Sequence, residues 1–254
     1  MTPPLTRENL VNIEEESLTN KVVLEVGSGR GNTTRKLVTL LSKHTGARLI
    51  VTDISDMFFS QLQSEFTASK VQIRFIHTSA QELINIPNNS IDYLVCNYTL
   101  CAINSRVGSL ASAIRRFWEV LKAEGKFFAE EEFPIDRQNT PAQEIWAEKW
   151  RILKAAILLS GELPYQEIAP ETLKGLCLLS GFENIKWAEH SETFSGADTL
   201  DFFRRRLDKI LTDIQSERLR AGFLEAAMDL QNRAKQVGSM EVPFYRLVAQ
   251  KGAG

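Results

Sequence analysis

The sequence predicts an α/β protein with a doubly wound, mostly parallel sheet and helices on both faces. Through the first 133 residues, short apolar runs rich in β-branched residues alternate with longer amphipathic segments. Such alternation is typical of parallel strands joined by right-handed helical crossovers. After Pro134 the pattern changes to longer helical segments that resemble an insertion. A ligand site is expected at the carboxyl ends of the parallel strands.

The apolar runs place the strands, and the patterns between them place the helices. The predicted strands cover residues 21–26, 48–52, 71–77, 91–97, 126–131, 184–188 and 244–250. The predicted helices cover residues 33–44, 56–69, a stretch near Ala80, 108–121, a segment opening at Thr140-Pro141, 170–179, and a long amphipathic region over 199–236. Proline at the first helical position fixes a suitable φ, which supports the helix that opens at Pro141.

Composition restricts the class of protein. The chain has 254 residues, 43% of them apolar and 24% charged, which is typical of a folded domain and excludes disordered, collagenous and membrane proteins. Its 30 basic and 32 acidic residues give a net charge of −2, so no nucleic-acid partner is expected, and the lack of a long apolar stretch means that no membrane partner is expected either. The length suits one large domain or a core with a lid.

Cysteine usage and the N-terminus indicate a cytoplasmic location. Cys96, Cys101 and Cys177 cannot form a disulfide framework in a chain of this length, and none has metal-ligand spacing. The first residues lack a basic start followed by an apolar run, so a secretory signal is not expected. The longest apolar stretch, residues 152–160, is far shorter than the roughly 20 residues that a membrane span needs.

The sharpest motif is Glu25-Val-Gly-Ser-Gly-Arg-Gly31, between the first strand and the first helix. Alternate glycines let the backbone pass close to a ligand, although a tight turn without a ligand is the alternative. The dinucleotide fingerprint G-x-G-x-x-G would need glycine where Asn32 stands, and the G-K-[ST] of a P-loop is missing. A phosphate cradle is therefore the poorer interpretation.

With further motifs, the chain resembles the class I S-adenosylmethionine-dependent methyltransferases. The acidic residue before G-x-G-x-G stands at Glu25, and a carboxylate that ends the second strand stands at Asp53. Four further segments are similar to the family. S-A-Q-E-L from Ser79 follows the third strand, N-N-S-I-D-Y-L-V from Asn88 enters the fourth, and L-K-A-E-G-K-F-F from Leu121 enters the fifth. The fourth segment, L-S-G-F-E-N-I before residue 186, resembles a late helix and turn of the family. The similarity covers residues 22–133 well and 170–251 loosely.

The resemblance implies a Rossmann-like, seven-stranded sheet with an antiparallel last strand and inserted helices that form a lid. It implies S-adenosyl-L-methionine as cofactor and S-adenosyl-L-homocysteine as product. Asp53 would grip both ribose hydroxyls, and Glu25 would orient the loop and the cofactor's amino group. Ser79 stands where the family often has Asp, so its contact with adenine would be weaker. The implied cofactor-binding residues are Glu25, Gly27, Ser28, Gly29, Gly31, Asp53, Ile54, Ser79, Ala80 and Asn97.

The acceptor side is expected where the fourth and fifth strands end. Asn97 and Tyr98 lie where the family keeps residues near the methyl group, but the prolines of the N-P-P-Y pattern are missing, which disfavours base and glutamine amines as acceptors. Strand alternation puts Glu130 and Glu132 on one face, where they could bind an amine, a guanidinium or a metal ion. The alternative is a solvated strand end paired with Arg or Lys of the inserted helices. Tyr98, Glu130 and Glu132 are the catalytic candidates, and no ligand spacing specifies a metal.

These observations favour an S-adenosylmethionine-dependent methyl transfer to a small-molecule acceptor, with an amine-bearing or cationic acceptor as the expected class. The chain would be a single methyltransferase domain over 1–254, with its cofactor-binding half at 20–133 and helical insertions at 134–170 and 198–238. One alternative is an NAD-linked oxidoreductase, against which stand Asn32 and the absence of a Tyr-x-x-x-Lys pair. Another is a non-catalytic binding protein that retains the fold. The sequence leaves the oligomeric state open.

Overall fold

A computed structural model describes residues 12–196 and 199–253 of the chain. Within these residues the sheet has seven strands in the order β3-β2-β1-β4-β5-β7-β6. The sheet is mixed, with one antiparallel strand, which confirms the predicted fold class. The strands are β1 (Val22–Val26), β2 (Arg48–Asp53), β3 (Gln72–His77), β4 (Ile91–Asn97), β5 (Leu121–Glu132), β6 (Phe182–Ser195) and β7 (Ser239–Lys251).

Helices connect the strands. They are α1 (Asn32–Leu41), α2 (Phe59–Glu65), α3 (Leu100–Ile103), α4 (Ser109–Val120), α5 (Pro141–Leu159), α6 (Pro170–Ser180), α7 (Asp201–Leu211) and α8 (Glu217–Val237). Strand β1 pairs in parallel with β2 on one side and with β4 on the other. The strand order therefore reverses between β1 and β4, and the crevice at that point is where open α/β sheets bind their ligands.

The core explains why the first half of the chain folds in this way. All five residues of β1 are buried, as expected for a central parallel strand covered on both faces. Leu37 and Leu41 on the inner face of α1 join Val23, Leu49 and Val51 in one apolar cluster. Burial of this cluster holds the turn between β1 and α1 in a fixed place above the sheet.

The helix predicted near Ala80 is wrong. Residues 80–85 form turns, and Leu83 and Asn85 adopt positive φ angles of 43° and 63°, which no α-helix contains. The carbonyl groups of Glu82 and Ile86 instead accept hydrogen bonds from the guanidinium of Arg116 on α4, at 2.9 and 2.7 Å. A long-range side chain thus replaces the local hydrogen bonds that a helix would have made.

Several predicted boundaries also differ from the structure. Strand β5 begins at Leu121, directly after α4, and not at residue 126. Strands β6 and β7 extend well beyond the predicted 184–188 and 244–250. The amphipathic region over 199–236 contains two helices, because residues 212–216 interrupt it, and Ser216 caps α8 by accepting a hydrogen bond from the Leu219 N–H.

The chain divides into two compact units. The first comprises Met1–Glu131, Ile168–Glu189 and Tyr245–Gly254, and the second comprises Glu132–Glu167 and His190–Phe244. The predicted single domain with insertions at 134–170 and 198–238 stays a prediction, and residue 198 lies outside the described residues.

The second unit is built on α5. The Thr140 hydroxyl accepts a hydrogen bond from the Gln143 N–H at 3.1 Å and Pro141 follows, which together start the helix where the sequence predicts it. Helix α5 packs against both α7 and α8. Trp146 and Leu153 of α5 and Phe203 of α7 are fully buried in this packing.

Candidate functional site

The turn between β1 and α1 is held open by three glycines with positive φ. Gly27, Gly29 and Gly31 have φ angles of 81°, 49° and 87°. A Cβ at Gly27 would lie 2.2 Å from Thr99 Oγ1, and one at Gly31 would lie 2.3 Å from Leu62 Cδ2. At Gly29 a Cβ would meet nothing within 4 Å. Packing therefore explains two of the glycines, whereas the third faces open space.

Asp53, the last residue of β2, is joined to this turn. Its Oδ2 accepts a hydrogen bond from the Gly29 N–H at 2.8 Å, and its Oδ1 accepts one from the Ser55 N–H at 2.9 Å. These backbone donors fix the orientation of the carboxylate. The structure thus brings together the two predicted features of the site, the glycine turn and the carboxylate that ends β2.

Glu25 lies beneath the turn and is 1% exposed. Neither of its carboxylate oxygens has a hydrogen-bond partner among the described residues, and the same holds for the nearby hydroxyls of Ser28 and Thr34. Burial raises the pKa of Glu25 from 4.5 to about 7; the hydroxyl and N–H donors of Thr34, beyond hydrogen-bond distance but close, oppose the rise, and the charge of Asp53 adds to it. A buried acid without a donor is costly, so the arrangement fits a positively charged group bound beside Glu25.

The segment after β3 forms a more open part of the site. The Ser79 hydroxyl donates to Glu82 Oε2 at 2.8 Å. In this structure the hydrogen bond of Ser79 is therefore made within the turn, to a residue three positions later. His77 Nε2 lies 2.8 Å from the Ile54 carbonyl oxygen and ties the ends of β2 and β3 together. The side chain of Ile54 is 70% exposed and that of Met57 is 75% exposed, while Ala80 is half-buried. Two apolar side chains at this edge are therefore free to cover a flat ligand.

Tyr98 and Glu130 are in direct contact at the carboxyl ends of β4 and β5. The Tyr98 hydroxyl donates to one oxygen of Glu130, and Arg246 Nε on β7 donates to the other. Tyr98 has a φ of 52°, which is uncommon for a bulky residue and typical of functional loops, and its N–H donates to the Glu130 carbonyl at 2.8 Å. Glu130 is thus a buried, oriented carboxylate with an arginine and a tyrosine as partners.

The other two acids of the run have different roles. Glu131 Oε1 accepts hydrogen bonds from the N–H groups of Thr99 and Leu100, both at 2.6 Å, and so fixes the start of α3. Glu132, in the second unit, accepts hydrogen bonds on Oε2 from the indole N–H groups of Trp146 at 2.6 Å and Trp150 at 2.7 Å. Glu130 thus bonds to Tyr98 and Arg246, whereas Glu132 bonds to two tryptophans of α5, and a common ligand for these two acids stays a prediction.

A cavity of about 120 Å³ adjoins Asn97 in the first unit. Polar side chains from four elements line it: Thr33 and Lys36 of α1, Asn97 of β4, Glu130 of β5 and Arg246 of β7. Sequence reasoning missed Lys36 and Arg246. The signal for Arg246 was a single cation within the apolar run of the last strand, where a charge needs a partner.

Between residues 12 and 196 and between 199 and 253, no three His, Cys, Asp or Glu side chains are grouped so that they could hold a metal ion. No helix in the same residues is both long and apolar enough to cross a membrane.

One family model matches part of the chain. Residues 23–125 match the family model described as a methyltransferase domain. This segment contains the glycine turn, Asp53 and the end of β4. No curated protein matches the chain by sequence.

Solved structures share the fold over almost the whole chain. A putative methyltransferase from Bacillus halodurans is 13% identical with a TM-score of 0.61, covering 92% of this chain and 93% of its own. An S-adenosylmethionine-dependent methyltransferase from Methanosarcina mazei is 13% identical with a TM-score of 0.57, covering 96% and 99%. A putative sarcosine dimethylglycine methyltransferase from Galdieria sulphuraria is 15% identical with a TM-score of 0.54, covering 95% and 82%. At these identities the likeness shows the fold.

Proposed function

We propose that this chain, whose residues 23–125 match a methyltransferase-domain model, is an S-adenosylmethionine-dependent methyltransferase of class I that methylates a small molecule carrying an amine or another cationic group. The observation that carries the cofactor part of the proposal is the buried Glu25 carboxylate under the glycine turn, which has no hydrogen-bond partner among the described residues. When bound, S-adenosylmethionine supplies a methyl group on a positively charged sulfur and presents an ammonium group on its amino-acid portion.

Each proposed cofactor residue has a physical reason in the structure. Glu25 would pair with the ammonium group, because a buried carboxylate gains most from a cationic partner. Gly29 would let the backbone approach the ligand, since open space lies where its side chain would be. Asp53 would accept hydrogen bonds from ribose hydroxyls while the Gly29 N–H keeps it in position. The remaining proposed contacts are Gly27, Ser28, Gly31, Ile54, Ser79, Ala80 and Asn97.

The acceptor is proposed to bind beside Asn97, in the cavity that Glu130 lines. Methyl transfer needs a nucleophile held in line at about 3 to 3.5 Å from the methyl carbon, and few catalytic groups beyond that. Glu130, oriented by Arg246, would attract an amine and hold the lone pair of the amine nitrogen in line with the methyl carbon. Tyr98 would contact the acceptor through its ring or hydroxyl. Glu132 stays a second candidate for amine binding.

The cofactor part of the proposal is tested by calorimetric titration of S-adenosylhomocysteine into wild type and Asp53→Ala, with Asp208→Ala, on the exposed face of α7, as the matched control. We expect binding to wild type and to Asp208→Ala, and at least about tenfold weaker binding to Asp53→Ala, since two charge-assisted hydrogen bonds are lost. Equal binding to Asp53→Ala would contradict the assignment. NAD, titrated in parallel, is expected not to bind.

The acceptor part is tested by a methylation screen. A panel of small amines would be incubated with S-adenosylmethionine and each amine compared with an alcohol of the same shape; amines lead because the Galdieria protein is described as a putative sarcosine dimethylglycine methyltransferase. For any amine that is methylated, Glu130→Gln is expected to raise KM about tenfold or more. A preference for the alcohols, or a KM unchanged in Glu130→Gln, would overturn the proposed acceptor class.

A further inference from the structure

The second unit contains a cavity of its own, which the proposed methyl transfer does not use. The cavity has a volume of about 720 Å³ and lies among α5, α7 and the ends of β6 and β7 that belong to this unit. Sites for small organic molecules are usually concave, largely apolar and roughly 300–1,000 Å³ in size. Phe202, Phe203, Met240, Val242 and Phe244 give it an apolar wall wide enough for an aromatic ring.

Among the described residues, one buried cationic group reaches this apolar wall without an ion-pair partner. Lys149 of α5 lines the cavity and is only 6% exposed. Its one recorded contact is with the face of the Trp150 ring, 4.7 Å from the ring centroid, and within the described part of the chain its ammonium group makes neither a hydrogen bond nor an ion pair. A buried ammonium without acceptors is expensive, so a fold retains it at a cost in stability.

Two acids lie near Lys149, and one of them, Glu132, also lines the cavity, but neither forms an ion pair with Lys149 among the described residues. Glu132 and Glu167 are close enough to raise the pKa of Lys149, but burial dominates and lowers it. The Oε2 atom of Glu132 takes two indole N–H groups, and Glu167 is paired with Lys154. The other charged groups on the cavity wall are Asp201 and Arg205 of α7. Lys149 thus brings an ammonium group to the cavity lining, where its one close contact is the face of the Trp150 ring.

From this geometry we propose that the cavity of the second unit binds a small organic anion with an aromatic or similarly apolar body. Lys149 would bind the anionic group, the phenylalanine wall would contact the body, and Trp150 would hold the ammonium through its ring face. Glu132 has a positioning part, because the Trp150 indole that supports Lys149 donates to its carboxylate. The inference does not depend on the identity of the methyl acceptor, since every residue it uses lies in the second unit.

The test uses pairs of ligands that differ in charge alone. Benzoate, phenylacetate and indole-3-acetate would each be titrated calorimetrically against the full chain beside the corresponding amide. We expect wild type to bind at least one of the acids about tenfold or more tightly than its amide, which is the usual size of a charge-assisted contact. Failure of all three acids to bind at millimolar concentration, or equal affinity for acid and amide, would overturn the proposal.

Variants then assign the charge preference to one residue. Lys149→Met keeps the length and apolar character of the side chain but removes the ammonium, and Lys209→Met, on the exposed part of α7, is the matched control. The preference for the acid should disappear in Lys149→Met, remain in Lys209→Met and persist in Lys149→Arg, although with altered affinity. A preference retained by Lys149→Met would refute the role of this lysine, and the comparison of acid with amide in wild type needs no variant to fold.

Discussion

Glu25 and Lys149 are buried without a hydrogen-bonding counterpart among the described residues, and each is best explained by what it would bind. Glu25 lies under the glycine turn of the first unit, and Lys149 faces the cavity of the second. Desolvation disfavours the charged form of both, so the pKa of Glu25 rises and that of Lys149 falls. Such groups reduce the stability of the unliganded protein, which makes stability a direct readout of their proposed roles.

The first prediction concerns Glu25 and pH. Because the pKa of Glu25 is about 7 in the folded chain and 4.5 as its ordinary value, the folded chain holds the proton more tightly than the unfolded chain. The free energy of unfolding is therefore expected to fall as pH rises from about 4.5 through 7, by up to about 3 kcal/mol from this group. Glu25→Gln should remove this fall and be more stable than wild type at pH 8. Denaturant titrations at pH 5 and pH 8 would measure both, and parallel pH dependence in the two proteins would contradict this role of Glu25.

The second prediction concerns Lys149 and stability. Lys149→Met removes a buried charge that has no acceptor among the described residues, so the free energy of unfolding should rise by about 1–2 kcal/mol in the absence of ligand. Thermal and denaturant unfolding would measure the change, with Lys209→Met expected to stay within about 0.5 kcal/mol of wild type. A loss of stability in Lys149→Met would mean that groups of the folded chain already offset the cost of burying the ammonium, which would contradict the proposed role of Lys149.

The third prediction concerns the contact between Arg246 and Glu130. Removing the arginine leaves a buried carboxylate with one partner fewer, so Arg246→Met should lower the free energy of unfolding by roughly 1–2 kcal/mol, less than for a fully buried pair because Arg246 is partly exposed. In the background of Glu130→Gln the same substitution should cost much less, because no charge remains to be paired. A double-mutant cycle measures this difference, and additive costs would show that the two side chains do not interact.

At the scale of elements, the glycines of the turn between β1 and α1 are required for different reasons, two by packing and one by the proposed ligand. Gly27 and Gly31 face Thr99 and Leu62 at distances that no Cβ tolerates, whereas Gly29 faces open space. The same local motif therefore has two physical causes, and only the structure distinguishes them.

The fourth prediction follows from that difference. Gly27→Ala should destabilise the fold by several kcal/mol, through a clash with Thr99 and a positive φ. Gly29→Ala should cost about 1 kcal/mol, for its positive φ alone, yet weaken binding of S-adenosylhomocysteine about tenfold or more. Unfolding curves and calorimetry on both variants check the pair. Full affinity in a folded Gly29→Ala would place the ligand elsewhere.

The elements that the sequence predicted best are those whose signals are local. The glycine turn, the strand that ends at Asp53 and the proline-initiated start of α5 depend on a few adjacent residues, and each lies within a residue or two of its expected place. The helix near Ala80 failed because Arg116, 30 or more positions away, takes the carbonyl groups that a helix would use. Strands β6 and β7 were longer than expected because pairing with a neighbouring strand does not require an apolar alternation.

At the scale of the whole molecule, the topology could be predicted and the partners of its charged groups could not. The alternating pattern led to the correct class of sheet, whose order reverses between β1 and β4. The run Glu130-Glu131-Glu132 was visible in the sequence, but its three different fates depend on Arg246, on the N–H groups of α3 and on two tryptophans. The candidate site residues stay predictions until a ligand is titrated.

The most direct test of the central claim is whether binding of S-adenosylhomocysteine releases a proton from Glu25. Titrations at pH 7 in buffers of different ionisation enthalpy report the number of protons exchanged. Because burial raises the pKa of Glu25 to about 7 and a cation beside it favours the carboxylate, wild type should release a measurable fraction of a proton on binding. Glu25→Gln should release none from this source and bind at least about tenfold more weakly. Binding without proton release, or undiminished affinity in Glu25→Gln, would contradict the proposed pairing of Glu25 with the cofactor's ammonium group.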